Sequence, residues 1–155
     1  MRKLAKTSPP HEVTVRISGI AAIPAVLEQL NADPDTVFAR ARVVRTLFDD
    51  PANVIGITSV GRLVRECVNA TECEHFGFLV GQQGGLQSFG LIGRAVRQAP
   101  GVETALRRLG TYQHLYHGGQ VIALEVHGDI AMLRYAVTSP GVDALDQIDD
   151  GALAI

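Results

Sequence analysis

No part of this sequence is apolar for long enough to cross a membrane. A spanning helix needs roughly 18–20 consecutive apolar residues, and no stretch of the chain approaches that length. The first ten residues include Arg2, Lys3 and Lys6 but no apolar run that would form the core of a secretory signal. We therefore expect a soluble, cytoplasmic protein.

Charge is also scarce. Charged residues make up 19% of the chain, against about 25% in a typical soluble domain, which indicates that some apolar surface is covered by something outside this sequence. The 14 basic and 16 acidic residues are scattered, so the sequence has no basic patch that would hold a phosphate backbone. This segment is therefore not expected to bind DNA by itself.

The usual sequence signatures of catalysis are missing as well. The segment Gly81–Gly85 follows a predicted helix and lacks the Lys-Ser/Thr pair of a phosphate-binding loop. No serine lies in a Gly-x-Ser-x-Gly motif, and no readable spacing places two carboxylates across a cleft. These absences predict that the chain is not an enzyme.

Only two cysteines, Cys67 and Cys73, are present, and in a cytoplasmic protein they are expected to be reduced thiols. His75 lies two residues from Cys73, and His114 lies three residues from His117. A metal site needs three or four convergent ligands, which these spacings do not supply. We predict no metal or cofactor, and a haem or thiol redox sensor stays as an alternative.

The length of 155 residues suits one compact domain, preceded by a disordered lead over residues 1–12. Apolar residues at spacings of three and four predict a series of helices along the rest of the chain. The predicted helices cover Gly19–Leu30, Pro34–Ala41, a segment from Ser59 through Val68, His75–Val80, Phe89–Gln98 and Val102–Tyr116.

Several of these helices carry start or stop signals. Asp33 before Pro34 is a typical helix N-cap, and Ser59 is a second capping candidate. Thr71 and Glu74 match the spacing of a capping box. Gly81 and the pair Gly84–Gly85 are expected to end the helix that follows, because glycine adopts positive φ without strain.

The predicted helix Val102–Tyr116 has a clear apolar face that includes Leu106 and Leu109. Val102, Tyr112 and Tyr116 fall on the same face, so both tyrosines are expected to point inward. His114 falls on the opposite, solvent-facing side.

A β-hairpin is predicted next, with a two-residue turn at Gly128–Asp129. This register places Leu124 opposite Leu133 and brings Glu125 diagonal to Arg134 on the other face. One face is then formed by Ile122, Leu124, Val126, Ala131, Leu133, Tyr135 and Val137. The predicted fold class is α+β, with an N-terminal helical part packed against an antiparallel hairpin or sheet.

Five residues are candidates for ligand contact. Tyr112, Tyr116 and Tyr135 each combine a flat apolar surface with a hydroxyl that needs a partner, although each is also explained as a core residue with its hydroxyl at the rim. Arg134 is suited to binding a carboxylate, or to pairing with Glu125 across the hairpin. Phe89 is either a pocket wall or part of the core.

Four segments together resemble a known family. Phe89–Ala95 leads into Ala99–Leu106, with Phe76–Gly81 upstream and the hairpin Val121–Val137 downstream. From about residue 13 to 155 the chain resembles the N-terminal effector domain of AraC/XylS-type bacterial transcription regulators, the group called arabinose-binding-like.

The resemblance implies that residues 13–155 form an effector-sensing domain, incomplete at its C-terminal end. Its effector would be an amino acid, an organic acid or a sugar, and the domain would form a homodimer. DNA would be bound only through a helix-turn-helix region outside this sequence. A ligand-free dimerisation module stays as the alternative.

Overall fold

The computed structural model describes residues 13–115 and 118–155, so the predicted disordered lead lies outside the described residues. The fold is α+β, as predicted. The strands are β1 Thr14–Arg16, β2 Val54–Gly56, β3 Gln120–His127 and β4 Ile130–Val137. The α-helices are α1 Ile23–Gln29, α2 Pro34–Ala41, α3 Ile57–Thr71, α4 Phe76–Gln83, α5 Gly90–Arg97, α6 Val102–Tyr112 and α7 Leu145–Ala154.

The main core lies among the first four α-helices. Phe38, Leu63 and Phe76 are almost completely buried there, and the ring of Phe38 meets that of Phe48 edge to face with centroids 4.8 Å apart. β1 and β2 pair antiparallel at one side of this core, with Val15 opposite Ile55. A second, smaller cluster consists of Phe89, Ile92 and Val96.

The predicted cap at Asp33 is confirmed, and those at Ser59 and Thr71 are wrong. The Asp33 carboxylate accepts hydrogen bonds from the backbone N–H groups of Asp35 and Thr36. α3 begins two residues before Ser59, because the N–H of Ile57 donates to the carbonyl of Val13 at 2.9 Å. The carbonyl of Val13, the residue before β1, therefore accepts the hydrogen bond that a capping side chain would otherwise accept.

Thr71 lies at the end of α3 and does not open α4. Its hydroxyl donates to the carbonyl of Cys67 at 2.8 Å and accepts from the N–H of Cys73 at 3.3 Å. α4 begins after His75, without a hydrogen bond from a capping side chain.

Gly81 does not end α4, which continues to Gln83 and ends at Gly84, the other predicted stop. A Cβ on Gly81 would lie 2.2 Å from the carbonyl oxygen of Gly151 in α7, and one on Gly77 would lie 1.9 Å from that of Gln147. The two glycines therefore permit α4 and α7 to pack with their backbones in contact.

α6 is shorter and less buried than predicted. It ends at Tyr112 and is followed by a 3-10 turn, Gln113–Leu115. Val102 is 75% exposed and Tyr112 is 46% exposed, so the prediction that both are buried is wrong. The helix packs on α5 and β3, and a Cβ on Gly110 would lie 2.8 Å from the carbonyl oxygen of Ile122. Tyr116 lies outside the described residues.

The predicted hairpin is confirmed in turn and register. Gly128 has φ of +64° in the two-residue turn, and Leu124 lies opposite Leu133. The N–H of Thr138 donates to the carbonyl of Gly119 at 2.8 Å and closes the open end of the hairpin. β3 and β4 contain no fully buried residue, so the hairpin covers the rest of the molecule with one face only.

Candidate functional site

A cavity of about 290 Å³ separates the main core from the second cluster and the hairpin. This volume is close to the lower end of the range for small-molecule sites, about 300–1,000 Å³. The lining is mostly aliphatic. It includes Val15, Ile20 and Ile23, Val60 and Val64 from α3, Val80 from α4, Leu106 and Leu109 from α6, Ile122 and Leu133 from the hairpin, and Ile148 and Leu153 from α7.

The hairpin contributes to the cavity through the face that its alternating sequence predicts. Ile122 and Tyr135 are cross-strand partners, and both line the cavity together with Leu133 and Gln120. Val126 and Ala131, which belong to the same face, lie next to the turn and are exposed. The cavity is therefore covered by the half of the hairpin that is distant from its turn.

Few polar side chains line the cavity, and that of Gln147 already has partners. Oε1 of Gln147 accepts from the N–H of Gly77 at 3.0 Å, and its Nε2 donates to the carbonyl of Glu74 at 2.7 Å. The backbone carbonyl of Gln120 accepts from Nε2 of Gln113 at 3.2 Å. Arg16 is the charged residue of the lining.

Tyr135 reaches the cavity beside an acidic segment of α7. Burial raises the pKa of the Tyr135 hydroxyl well above its usual value, and the negative charge of Asp149 raises it further. The pKa of Asp149 is itself raised, first by burial and then by the charges of Asp150 and Asp146. Its Oδ1 is buried and has no hydrogen-bond partner within the described ranges. The hydroxyl of Tyr135 therefore stays protonated near neutral pH. The carboxyl of Asp149 loses its proton at a higher pH than an exposed aspartate does.

The five predicted ligand contacts fall in different places. Phe89 and Tyr135 line the cavity. Tyr112 is not among its lining residues and is half-exposed, and Arg134 lies on the opposite face of the hairpin, where its Nε is 3.2 Å from Oε1 of Glu125. The cross-strand pair with Glu125 is thus the arrangement that Arg134 adopts. Tyr116 lies outside the described residues.

Sequence patterns did not point to Arg16 or Gln147. Arg16 belongs to a three-residue strand, and its partner strand lies about forty residues further along the chain. Gln147 lies in an acidic segment that looks solvent-facing, yet it is buried against α4.

The cysteines and histidines do not form a reactive centre in the described part of the chain. Burial raises the pKa of the Cys67 thiol to about 12, with a smaller contribution from Glu66, so this thiol is almost entirely protonated near neutral pH. Cys67 and Cys73 are both unbridged and buried. Among residues 13–115 and 118–155, no group of three or more His, Cys, Asp or Glu side chains is placed to hold a metal ion.

An open groove adjoins the cavity. Arg16, Arg94 and Arg97 line it, together with the exposed side chains of Leu91 and Leu115. Arg16 and Leu86 line both the groove and the cavity. Arg16 therefore lies where the two spaces meet.

Comparison with known proteins places this geometry in context. The model of one protein family, described as the arabinose-binding domain of AraC transcription regulators, N-terminal, matches residues 32–153. No curated protein matches the chain. None of the helices in the described ranges combines the length and the hydropathy needed to cross a bilayer.

Proposed function

Because the chain belongs to the arabinose-binding domain family of AraC transcription regulators, we propose that it senses a small molecule in the cavity beneath the β3–β4 hairpin. The observation that supports this site is the apolar cavity of about 290 Å³ itself, with a few polar groups at its margin. This combination is typical of small-molecule sites. The family supports a ligand-sensing role in general, and the size and apolar lining of the cavity support this location for the ligand.

The way in which the cavity is built suggests how binding is transmitted. One wall belongs to the main core and the opposite wall to α6 and the hairpin. The hairpin buries none of its residues completely, so it packs loosely on the rest of the molecule. A ligand that contacts both walls therefore adds much to the contact that holds the hairpin in place. Such a ligand binds only the packed arrangement and shifts the population towards it.

The output of this shift is proposed to be DNA binding by another region of the regulator, in the cytoplasm. The domain itself has a net charge of −2 and is not suited to a phosphate backbone. The regulatory signal would therefore pass from the packed hairpin to a separate DNA-binding region.

A thermal-shift screen of the 155-residue chain tests this proposal. A ligand that binds only the native state raises its melting temperature, by an amount that grows with concentration. The screen includes amino acids, organic acids, sugars and neutral apolar compounds. A selective increase for one chemical class supports sensing, and no increase for any class contradicts it.

A second candidate function is homodimerisation through the outer face of the hairpin. Val121, Ile130 and Met132 are 49%, 63% and 44% exposed there, and they surround the ion pair between Glu125 and Arg134. In a two-fold symmetric dimer the same surface meets itself. The glutamate of one copy can then approach the arginine of the other while the apolar side chains become covered.

The mass of the chain in solution, measured by sedimentation, tests this second candidate. Ile130→Lys should convert the dimer to a monomer, because it places a charge in the proposed interface. Val44→Lys is the matched control, since Val44 is 64% exposed and lies far from the hairpin in the sequence. A monomeric wild type, or equal effects of the two variants, would reject this interface.

A further inference from the structure

The place where the cavity meets the groove restricts the chemical class of the ligand. Arg16 and Leu86 line both spaces, so a molecule that extends from the interior towards solvent passes Arg16. The two spaces differ in character, and each selects for a different part of such a molecule.

The interior favours an apolar body. Its lining is mostly aliphatic, and the side chain of Gln147 already holds the backbone of Glu74 and Gly77. A sugar would place several hydroxyl groups against these aliphatic walls, where they would lose their hydrogen bonds to water. A hydrocarbon chain or ring has no hydrogen bonds to water to lose, and its burial is favourable in free energy.

The groove favours negative charge. Arg94 and Arg97 lie in the last turn of α5, and neither forms an ion pair within the described residues. Within the part of the chain that the structure describes, the residues that line the groove include three arginines and no acidic side chain. A concave surface lined by one sign of charge attracts ions of the opposite sign and concentrates them.

Arg16 itself is suited to a carboxylate. It follows the buried Val15 at the end of β1, which fixes its backbone, and its Nη1 donates to the carbonyl of Ala52 at 3.3 Å. A guanidinium carries five N–H donors in a planar arrangement that matches the two oxygens of a carboxylate. The bond to Ala52 uses one of these donors.

We infer that the ligand is an amphipathic carboxylate, with its hydrocarbon body in the cavity and its carboxylate at Arg16. Arg94 and Arg97 attract the anion to the groove through which it enters. This inference rests on the proposed function, because it names the chemical class that the sensing cavity takes. It also favours an organic acid over a sugar as the effector.

Octanoate and octanol are the matched probes, since they share a hydrocarbon chain and differ in charge at about pH 7.5. Calorimetric titration of the 155-residue chain should give a dissociation constant at least about tenfold lower for octanoate. Arg16→Gln should remove this preference by weakening octanoate about tenfold, and should change octanol binding less than about twofold. Arg16→Lys retains the charge and should keep part of the preference.

Arg40→Gln is the control for a general effect of charge, because Arg40 is exposed on α2 and lines neither space. It should leave both titrations unchanged. Equal affinity of the wild type for the two probes, no binding of either probe, or an unchanged preference in Arg16→Gln would each overturn the carboxylate inference.

These results are distinguishable from failure of the proposed function. If octanol or another neutral compound binds without any preference for charge, the cavity is a sensing site and only the ligand class is wrong. If the broad screen finds no ligand of any class, the sensing function fails together with the inference.

Discussion

The backbone N–H of Gly77 in α4 donates to Oε1 of Gln147 in α7 at 3.0 Å. A Cβ on Gly77 would lie only 1.9 Å from the carbonyl oxygen of the same glutamine. The two residues are seventy positions apart, so this contact joins distant parts of the chain. Backbone contact with α4 therefore fixes the position of α7, which carries several of the residues that line the cavity.

A methyl group at Gly77 should separate the two helices. Gly77→Ala is expected to reduce the free energy of unfolding by about 1–3 kcal/mol or more, because the neighbouring backbone cannot move as easily as a side chain. Urea denaturation measures the change. Gly101→Ala is the control, since nothing lies within 4 Å of a Cβ at that position, and an equal effect of the two variants would contradict the close approach.

The side chain of Gln147 should contribute through its hydrogen bonds more than through its volume. Gln147→Leu keeps the approximate size but leaves the buried N–H of Gly77 without its acceptor, which is expected to cost about 1–3 kcal/mol. Gln83→Leu removes an exposed hydrogen bond to Gln29 and should cost far less. Unfolding curves that do not separate the two variants would show that the Gln147 contacts are not stabilising.

The cap of α2 should stabilise the protein in a pH-dependent way. Hydrogen bonds from the Thr36 side chain and backbone, and then from the Asp35 backbone, hold the pKa of Asp33 below its usual value. A lowered folded pKa means that the contribution is complete above the unfolded pKa and is lost as the pH falls through the folded pKa. Asp33→Ala should therefore lower the melting temperature near pH 7 and have less effect near pH 3.

Asp33→Asn provides the control for this prediction. Asparagine is a comparable N-cap without a titrating group, so the variant should stay near the wild-type melting temperature at pH 7 and lose the pH dependence that the cap contributes. A constant difference between wild type and Asp33→Ala from pH 7 to pH 3 would show that the carboxylate charge is not involved.

Asp149 should change the stability with pH in the direction opposite to Asp33. Its pKa is raised by burial and by the charges of Asp150 and Asp146, so the native state binds its proton more tightly than the unfolded state does. Stability is then lost as the pH rises from the unfolded pKa, about 3.9, through the folded pKa. Asp149→Asn should raise the melting temperature near pH 7, with the gain disappearing below about pH 4. Asp129→Asn, in the exposed hairpin turn, should show no such gain, and equal melting curves for both variants would refute the assignment.

Local signals predicted some elements well. The hairpin register follows from a two-residue turn and strict alternation, and both signals act between neighbours in sequence. The Asp33 cap is equally local. The prediction that Gly81 ends α4 is wrong, because glycine occurs both at helix ends and where two backbones come close together. Gly81 is of the second kind, since it contacts Gly151 in α7. Only the three-dimensional packing distinguishes the two uses.

The sequence indicated some of the residues that line the cavity and missed others. Phe89 and Tyr135 line the cavity, as expected of aromatic residues on an apolar face. Arg16 depends on the pairing of two short strands, and Gln147 depends on the crossing of α4 and α7. Neither relationship has a signature within a window of sequence, so the polar groups of the site could not be predicted in this way.

Filling the cavity from one wall tests the central claim most directly. Ala152 lines the cavity on α7, whereas Ala136 is exposed on β4 opposite Val121, on the outer face of the hairpin. Ala152→Leu and Ala136→Leu add the same atoms in these two places. In calorimetric titrations with the best compound from the thermal-shift screen, Ala136→Leu should bind like the wild type and Ala152→Leu should bind at least about tenfold more weakly. Equal affinity for the three proteins would show that the ligand does not occupy this cavity.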